Sequence, residues 1–313
     1  MHRRRRFLRV LAASAGLALL PGSDPAVARL RHRWRGSALG ASARIDLWAE
    51  ERQRAEGLVR ACVAEIDRLE RIFSLHRADS ALSALNQAGR LSRPPLELVS
   101  VLEAAARIAR LSGSAFDVTV QPLWRFYADH FARRGPNAAG PEPGALERVR
   151  PLVGHAAVEV EPGAIRLARP GMALTLNGIA QGFIADRIAT LLQDSGMASA
   201  FLDVGEVRAV GSAPDGQAWP MSRPAAATSS PAALTFDGAG RLPHLLDPAT
   251  LRPCRGAGEV TVEAESAMIA DALSTALAIR PDCLPPSLQD RVAVTRKQQA
   301  QGPRTAREVW NAG

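Results

Sequence analysis

Hydrophobic and polar positions alternate along this chain with two periods, and the switches between them mark out its elements. Residues 45–48 alternate apolar and polar, as a strand with one covered face does. Over residues 50–72 the period lengthens: Leu58, Cys62, Ile66, Leu69 and Phe73 recur three or four positions apart, which predicts an amphipathic helix. A short helix over 80–86 and a second clear one over 96–111, ended by Gly113, follow. Residues 116–120 predict a strand or extended turn, 122–131 are rich in aromatics, and the glycines and prolines of 135–144 mark a surface loop. Strands are expected at 157–160 and 164–167. Next, Leu174-Thr175-Leu176 reads as a short strand that runs through a turn bracketed by Gly178 and Gly182 into a helix. That helix puts Phe183, Ile184, Ile188, Leu191 and Leu192 on one side and is capped by Gly196. Paired strands at 201–204 and 207–210, further strands at 242–246 and 260–262, a helix over 266–279 and a loose polar tail after about residue 290 complete the pattern. Strands and helices mixed in this order predict an α+β or α/β fold in one mature domain with lobes.

The N-terminus changes what the charge means. Arg3, Arg4, Arg5, Arg6 and Arg9 precede an apolar run over 10–20 and the small residues Ala26, Val27 and Ala28, the layout of an export signal cut near Ala28. Arg4-Arg5 followed by Phe7-Leu8-Arg9 resembles the twin-arginine type, which carries folded proteins. The run is too short to cross a bilayer of about 30 Å, so no stable membrane insertion is expected. The formal charge is +8, but beyond residue 28 the chain holds 34 basic against 30 acidic residues. No basic run interleaved with aromatics follows, and nucleic acid is not expected as a partner. Lys297 is the only lysine and lies in the polar tail, which excludes Schiff-base chemistry and a P-loop lysine. Cys62, Cys254 and Cys283 are too scattered for a zinc site or a disulfide framework; Cys254 and Cys283 could pair outside the cytoplasm.

Three constellations carry chemistry. The Gly178 turn leads into a helix whose first N–H groups and positive dipole end suit a phosphate or pyrophosphate, although glycine turns also join strands to helices without a ligand. Asp271 and Thr275 lie four apart on the last helix, so a carboxylate and a hydroxyl project from one face. With a backbone carbonyl added, that hard-oxygen set suits Mg²⁺; the same spacing also describes a solvated helix face. His244 and Asp247 end a strand at an Asp-Pro turn, which is either structural or, beside a phosphate site, the place of a general base.

Taken together, these segments resemble the ApbE family, the FAD:protein FMN transferases. The resemblance rests on Phe73-Ser74 with 80–86, Ala115-Phe116-Asp117-Val118-Thr119 through Leu123, and Asn177-Gly178-Ile179-Ala180-Gln181-Gly182-Phe183 with Asp186. It continues in 203–211, Ala227-Thr228-Ser229-Ser230, His244 to Pro248, and Ala270-Asp271-Ala272-Leu273-Ser274-Thr275. It implies a single α+β, T-fold-related domain over 29–290 with mixed sheets and flanking helices. It further implies a periplasmic Mg²⁺-dependent enzyme that splits FAD, moves FMN onto a Thr or Ser of an acceptor flavoprotein and releases AMP. Carried over by position, the metal falls on Asp271, Thr275 and the carbonyl of Ala180. The flavin contacts fall on Asp117, Gly178, Gln181, Asp186, Thr228, His244 and Asp247, with His244 as base and Asp271 as the second catalytic residue.

Some positions depart from the family pattern. Gln181 stands where a lysine is usual, Gly205 is a single glycine where a pair is usual, Ser230 replaces a glycine, and His76 stands where an aromatic is common. These variants look like the branch that includes NosX, an accessory flavoprotein, so a flavin-binding or electron-transfer protein without transfer is the alternative. The run over 211–227 is short, as if a strand pair walling the flavin pocket were absent, which would impair affinity or turnover.

Overall fold

The computed structural model describes residues 29–254, 258–297 and 304–305; the expected export signal over 1–28 and most of the tail beyond 297 lie outside the described residues. β1 (Leu30–Ala38) and β2 (Ala41–Ala49) form an antiparallel hairpin closed by Leu39 and Gly40, both at positive φ (48° and 79°), the conformation that matches strand twist in a two-residue turn. Sequence periodicity misses β1, because its alternate positions are arginines. They have a function across the ladder. Asp46 of β2 is 1 % exposed, with Arg31 and Arg33 at 2.8 Å and Arg44 at 3.1 Å. Burial alone would raise its carboxyl, but the hydrogen bonds and charges of these arginines outweigh it and hold Asp46 below its ordinary value.

α1 (Arg52–Phe73) buries Cys62, Ile66, Leu69 and Phe73 as expected. Burial pushes the Cys62 thiol up to about 12, so it is not a nucleophile. α2 (Ala81–Ala88) is capped by Ser80, whose hydroxyl accepts from the Ser83 N–H, and ends at Gly89 in the left-handed region. β3 (Arg90–Ser92) and α3 (Leu96–Leu111) follow. The segment 116–120 is not a strand: Asp117 is extended and caps a tight 3-10 turn over Val118–Val120. The aromatic-rich stretch is a helix, α4 (Gln121–Arg134), started by Pro122 and burying Leu123, Tyr127 and Phe131 at four-residue intervals. After the short α5 (Pro143–Leu146), β4 (Val158–Glu161) and β5 (Ala164–Leu167) join β3 in a three-stranded antiparallel sheet with β5 central.

α6 (Ala180–Asp194), β6 (Ser199–Asp203), β7 (Val207–Gly211) and β8 (Ala225–Ser229) come next. The two-residue strands β9 (Leu234–Thr235), β10 (Leu246–Asp247) and β11 (Arg252–Pro253) precede β12 (Glu259–Ala264) and α7 (Ala267–Ile279). α8 (Pro286–Gln289), β13 (Ala293–Lys297) and β14 (Arg304–Thr305) close the described chain. The main sheet has the order β1-β2-β6-β7-β8-β12-β13 with antiparallel neighbours. Two expectations need correcting. Of residues 242–246 only Leu246 lies in a strand, β10, and Pro243 makes a single bridge to Thr235; Pro243 lacks an N–H and the Leu242 N–H is taken by Asp237 at 2.9 Å, so no continuous strand forms. Residues 293–297 are not loose tail: they pair with β12, with Val294 opposite Val262, so the domain runs past residue 290.

α1, α6 and α7 cover one face of the sheet and enclose the main core. A second, smaller core gathers Leu123, Tyr127 and Phe131 of α4 with Phe236, Leu246 and Leu251. On the opposite face of the sheet, Trp219 packs on Trp48 and Phe201, with ring centroids 5.6 and 5.4 Å away. The short 211–227 run therefore spends its one aromatic side chain on the face away from α7.

Candidate active site

The start of α6 and the first residues of α7 touch through their backbones. A Cβ at Gly182 would lie 2.5 Å from the carbonyl carbon of Ala267 and 2.6 Å from Met268 Cα, so only glycine fits. A Cβ at Gly178 would lie 2.9 Å from Thr275 Oγ1 and 3.3 Å from the Phe116 ring. Neither glycine has positive φ, so both serve close approach between helices rather than the sharp turn expected from sequence. The preceding Leu174–Leu176 is extended but joins no ladder. Instead the Asn86 side chain pairs with both main-chain groups of Leu174, accepting from its N–H at 2.6 Å and donating to its carbonyl at 2.9 Å, as a strand neighbour would. The carbonyl of Leu176 accepts from Ile179 and Ala180 and so winds the chain into α6.

This contact brings three sequence-predicted residues together. The Gly182 N–H donates to Asp271 Oδ2 at 3.2 Å, and Thr275, one turn along α7, faces Gly178. Asp271 is not on a solvated helix face as its spacing allowed; it is 3 % exposed, while Thr275 is half-buried. Among the described residues Asp271 makes no ion pair. Desolvation therefore dominates and pushes its carboxyl up to about 8, against the modest pull of the Gly182 N–H. Because the folded protein binds this proton more tightly than the unfolded chain, Asp271 weakens folding as pH rises from about 4 to about 8. In chelator, unaltered protein is expected to lose thermal stability relative to Asp271→Asn across that window, and added Mg²⁺ is expected to close the gap. A gap that stays constant with pH would count against an isolated buried carboxylate.

The remaining candidates are engaged in the fold. Asp117 accepts from Thr119 through both N–H and hydroxyl, at 2.8 and 2.6 Å, and from the His155 N–H at 2.9 Å, so it clips two loops together. Asp186 caps α7: it accepts from Ser266 Oγ at 2.7 Å and from the N–H groups of Ala267 and Met268 at 2.9 and 3.0 Å. Asp186→Ala is expected to cost about 1–2 kcal/mol, as lost helix caps do, readable as a lower urea midpoint. Gln181 lies over Gly205 (φ 99°), where a Cβ would sit 2.5 Å from the Gln181 amide carbon. Thr228 faces the outer side of β8, its hydroxyl 2.9 Å from that of Thr261. Asp247 accepts from Arg280 at 3.2 Å and from the Ala249 N–H at 2.9 Å.

His244 Nδ1 lies 3.0 Å from the Leu234 carbonyl. Burial lowers the imidazole below its ordinary value, opposed by the carbonyls of Leu234 and Pro231, so the neutral form is favoured. Pro231 stands two residues beyond Ser229, and Ser229 is the site residue that periodicity and spacing did not single out. Its Oγ lies 3.1 Å from Thr275 Oγ1 and 2.8 Å from Ser274 Oγ. A count of two from the buried Ala225 and Ala227 finds it, since Ser229 then faces α7 and Thr228 faces away. Cys254 and Cys283 are both free thiols, so no disulfide joins them.

Asn177 is exposed and Gly178, Gln181 and Thr275 are half-buried, while Asp271 and Ala180 are buried. Two surface clefts, about 250 and 460 Å³, lie elsewhere and are lined by none of these residues. Among the described residues no helix is long and apolar enough to cross a membrane.

Comparison with known proteins agrees with this architecture. The family model of the ApbE family matches residues 39–283. A FAD:protein FMN transferase of Treponema pallidum is 36 % identical over 200 residues, which is 59 % of this chain and 53 % of that protein, so the match spans about half the relative's length. One from Vibrio cholerae is 31 % identical over 250 residues, 69 % of this chain and 72 % of its own. Among solved structures, the apo form of the Pseudomonas stutzeri flavinyl transferase ApbE superposes with a TM-score of 0.74 at 22 % identity, over 87 % of this chain and 92 % of that one. The Thermotoga maritima ApbE protein gives 0.73 at 25 % identity, over 85 % and 94 %.

Proposed function

This chain belongs to the ApbE family, and we propose that it is a FAD:protein FMN transferase. In this reading an acceptor hydroxyl, from a Thr or Ser of a partner flavoprotein, attacks the FMN phosphorus of FAD. The new P–O bond joins FMN to the acceptor, the P–O bond to AMP breaks, and AMP departs. The observation that carries it is the α6–α7 contact, which puts Gly178 beside Asp271 and Thr275 from two distant parts of the chain.

The donor set fits Mg²⁺. Asp271 is a buried carboxylate with no cationic side chain paired to it, Thr275 supplies a hydroxyl oxygen, and Ala180 supplies a carbonyl at the buried start of α6. Among the described residues no cluster of three or more His, Cys, Asp or Glu exists. A single carboxylate with neutral oxygens suits Mg²⁺, which keeps waters and substrate phosphates as its other ligands. Bound there, the ion would neutralise charge on the pyrophosphate oxygens. The N-terminus of α6 presents the positive end of its dipole to the same phosphates, in place of the cation that Gln181 does not provide. His244, in its favoured neutral form, takes the acceptor's hydroxyl proton. Residues 1–28 send the protein to the periplasm, where the acceptor resides.

Incubation of the purified protein with FAD, Mg²⁺ and an acceptor flavoprotein is expected to give AMP by chromatography and an FMN mass gain on the acceptor. Absence of AMP with every divalent ion tried would remove this function. Flavin retained by the protein without AMP would favour the flavin-binding accessory instead.

A further inference from the structure

Four oxygens run in a row from the end of β8 into α7. Ser274 Oγ lies 2.9 Å from the main-chain oxygen of Asp271, Ser229 Oγ lies 2.8 Å from Ser274 Oγ, and Thr275 Oγ1 lies 3.1 Å from Ser229 Oγ. A carbonyl oxygen only accepts, so Ser274 donates its single proton to it. Ser274 then has no proton left for Ser229, which must donate to Ser274. Ser229 in turn has none left for Thr275, which must donate to Ser229. One acceptor at the far end thus fixes the direction of the whole row. Ser274 is fully buried, at 0 % exposure, so water does not scramble that end. The Thr275 proton is drawn toward Ser229, and the lone pairs of Oγ1 are left for the side where Gly178 and the start of α6 approach.

We propose that Ser229 is a positioning residue that turns the Thr275 proton away from the cation and so keeps Thr275 an oxygen ligand. The inference rests on the Mg²⁺ site proposed above. A hydroxyl whose proton faces a divalent ion repels it, and loss of the partner that orients a ligand lowers metal affinity by about 10–100-fold. Ser274 matters for the same reason without touching Thr275 Oγ1. Once it no longer accepts, the Ser229 proton swings to Thr275 and the row reverses.

The test is titration of Mn²⁺ in the presence of FAD, followed by loss of the free-ion electron paramagnetic resonance signal. Ser229→Ala and Ser274→Ala are each expected to weaken Mn²⁺ by about 10-fold or more, while Ser229→Thr, which keeps the hydroxyl on a strand, is expected to restore it. Circular dichroism checks that each variant is folded; should Ser229→Ala not fold, Ser274→Ala decides alone. Equal affinity in the alanine variants overturns the proposal, as does a loss that Ser229→Thr fails to restore. If the unaltered protein binds no Mn²⁺, the cation site itself falls and this inference with it; binding by the unaltered protein and alanine variants alike removes the inference only.

Discussion

Asp271→Asn is expected to lower AMP formation by about 100-fold or more, the scale of several kcal/mol that a bound ion contributes to transition-state charge. At the same time its thermal midpoint above pH 8 is expected to rise or stay unchanged. The two effects separate because Asp271 is costly to the fold and useful only to the site. Its carboxyl is 3 % exposed, and without a cation it is met by one N–H at 3.2 Å. Asparagine has the same shape and still accepts from Gly182 through its amide oxygen, so no cavity is created and the Gly182 N–H keeps its acceptor. What disappears is the buried charge, whose removal relieves desolvation while abolishing the anionic ligand. Chromatographic AMP assays and calorimetry on the same preparation read both quantities. Retained activity with raised stability would mean that Asp271 is a structural carboxylic acid and that catalysis lies elsewhere.

Gly182→Ala is expected to have the largest effect on stability, about 3 kcal/mol or more, at the upper end of what overpacking costs. The added methyl would overlap the Ala267 carbonyl and approach Met268 Cα to 2.6 Å, and both obstacles are main chain, which cannot rotate away. Relief requires α6 to move off α7, which also withdraws the Gly182 N–H from Asp271. The thermal midpoint is therefore expected to fall by about 6–12 °C, at 2–4 °C per kcal/mol for a domain of this size. Gly57→Ala is the control. It lies inside α1 with its nearest neighbour, Arg60 Nη2, 3.8 Å away, so the substitution is expected to be neutral or to stabilise by up to about 1 kcal/mol. Equal midpoints for the two variants would show that the helices do not meet as closely as described.

Much of the fold was legible because a covered face imposes its period on the sequence. The stripes of α1, α3, α6 and α7 appear in their apolar spacing, and the paired strands β6 and β7 in theirs. β1 escaped because its alternate residues are arginines, whose reason for being there, Asp46, lies across the hairpin. β13 escaped because its outer positions are polar and its pairing partner, β12, comes some thirty residues earlier in the chain. Gly178, Asp271 and Thr275 were expected from the glycine turn, oxygen chemistry and family resemblance, and the fold brings them together. Asp117, Asp186 and Asp247 were expected to meet flavin. The contacts they make are a loop clip to His155, a cap on α7 and an ion pair with Arg280, with groups far away in the chain that a local motif does not record.

The sequence by itself determined which faces are covered and that the last helix carries a hard-oxygen pair. Those properties depend on residues three or four positions apart, and local periodicity records them. Only the tertiary structure decided that Asp271 is sealed from water, that α6 begins against α7, and that Ser229 reaches Thr275. Desolvation and proton direction depend on groups 46 and 89 residues apart in the chain, and no local pattern encodes a distance between them.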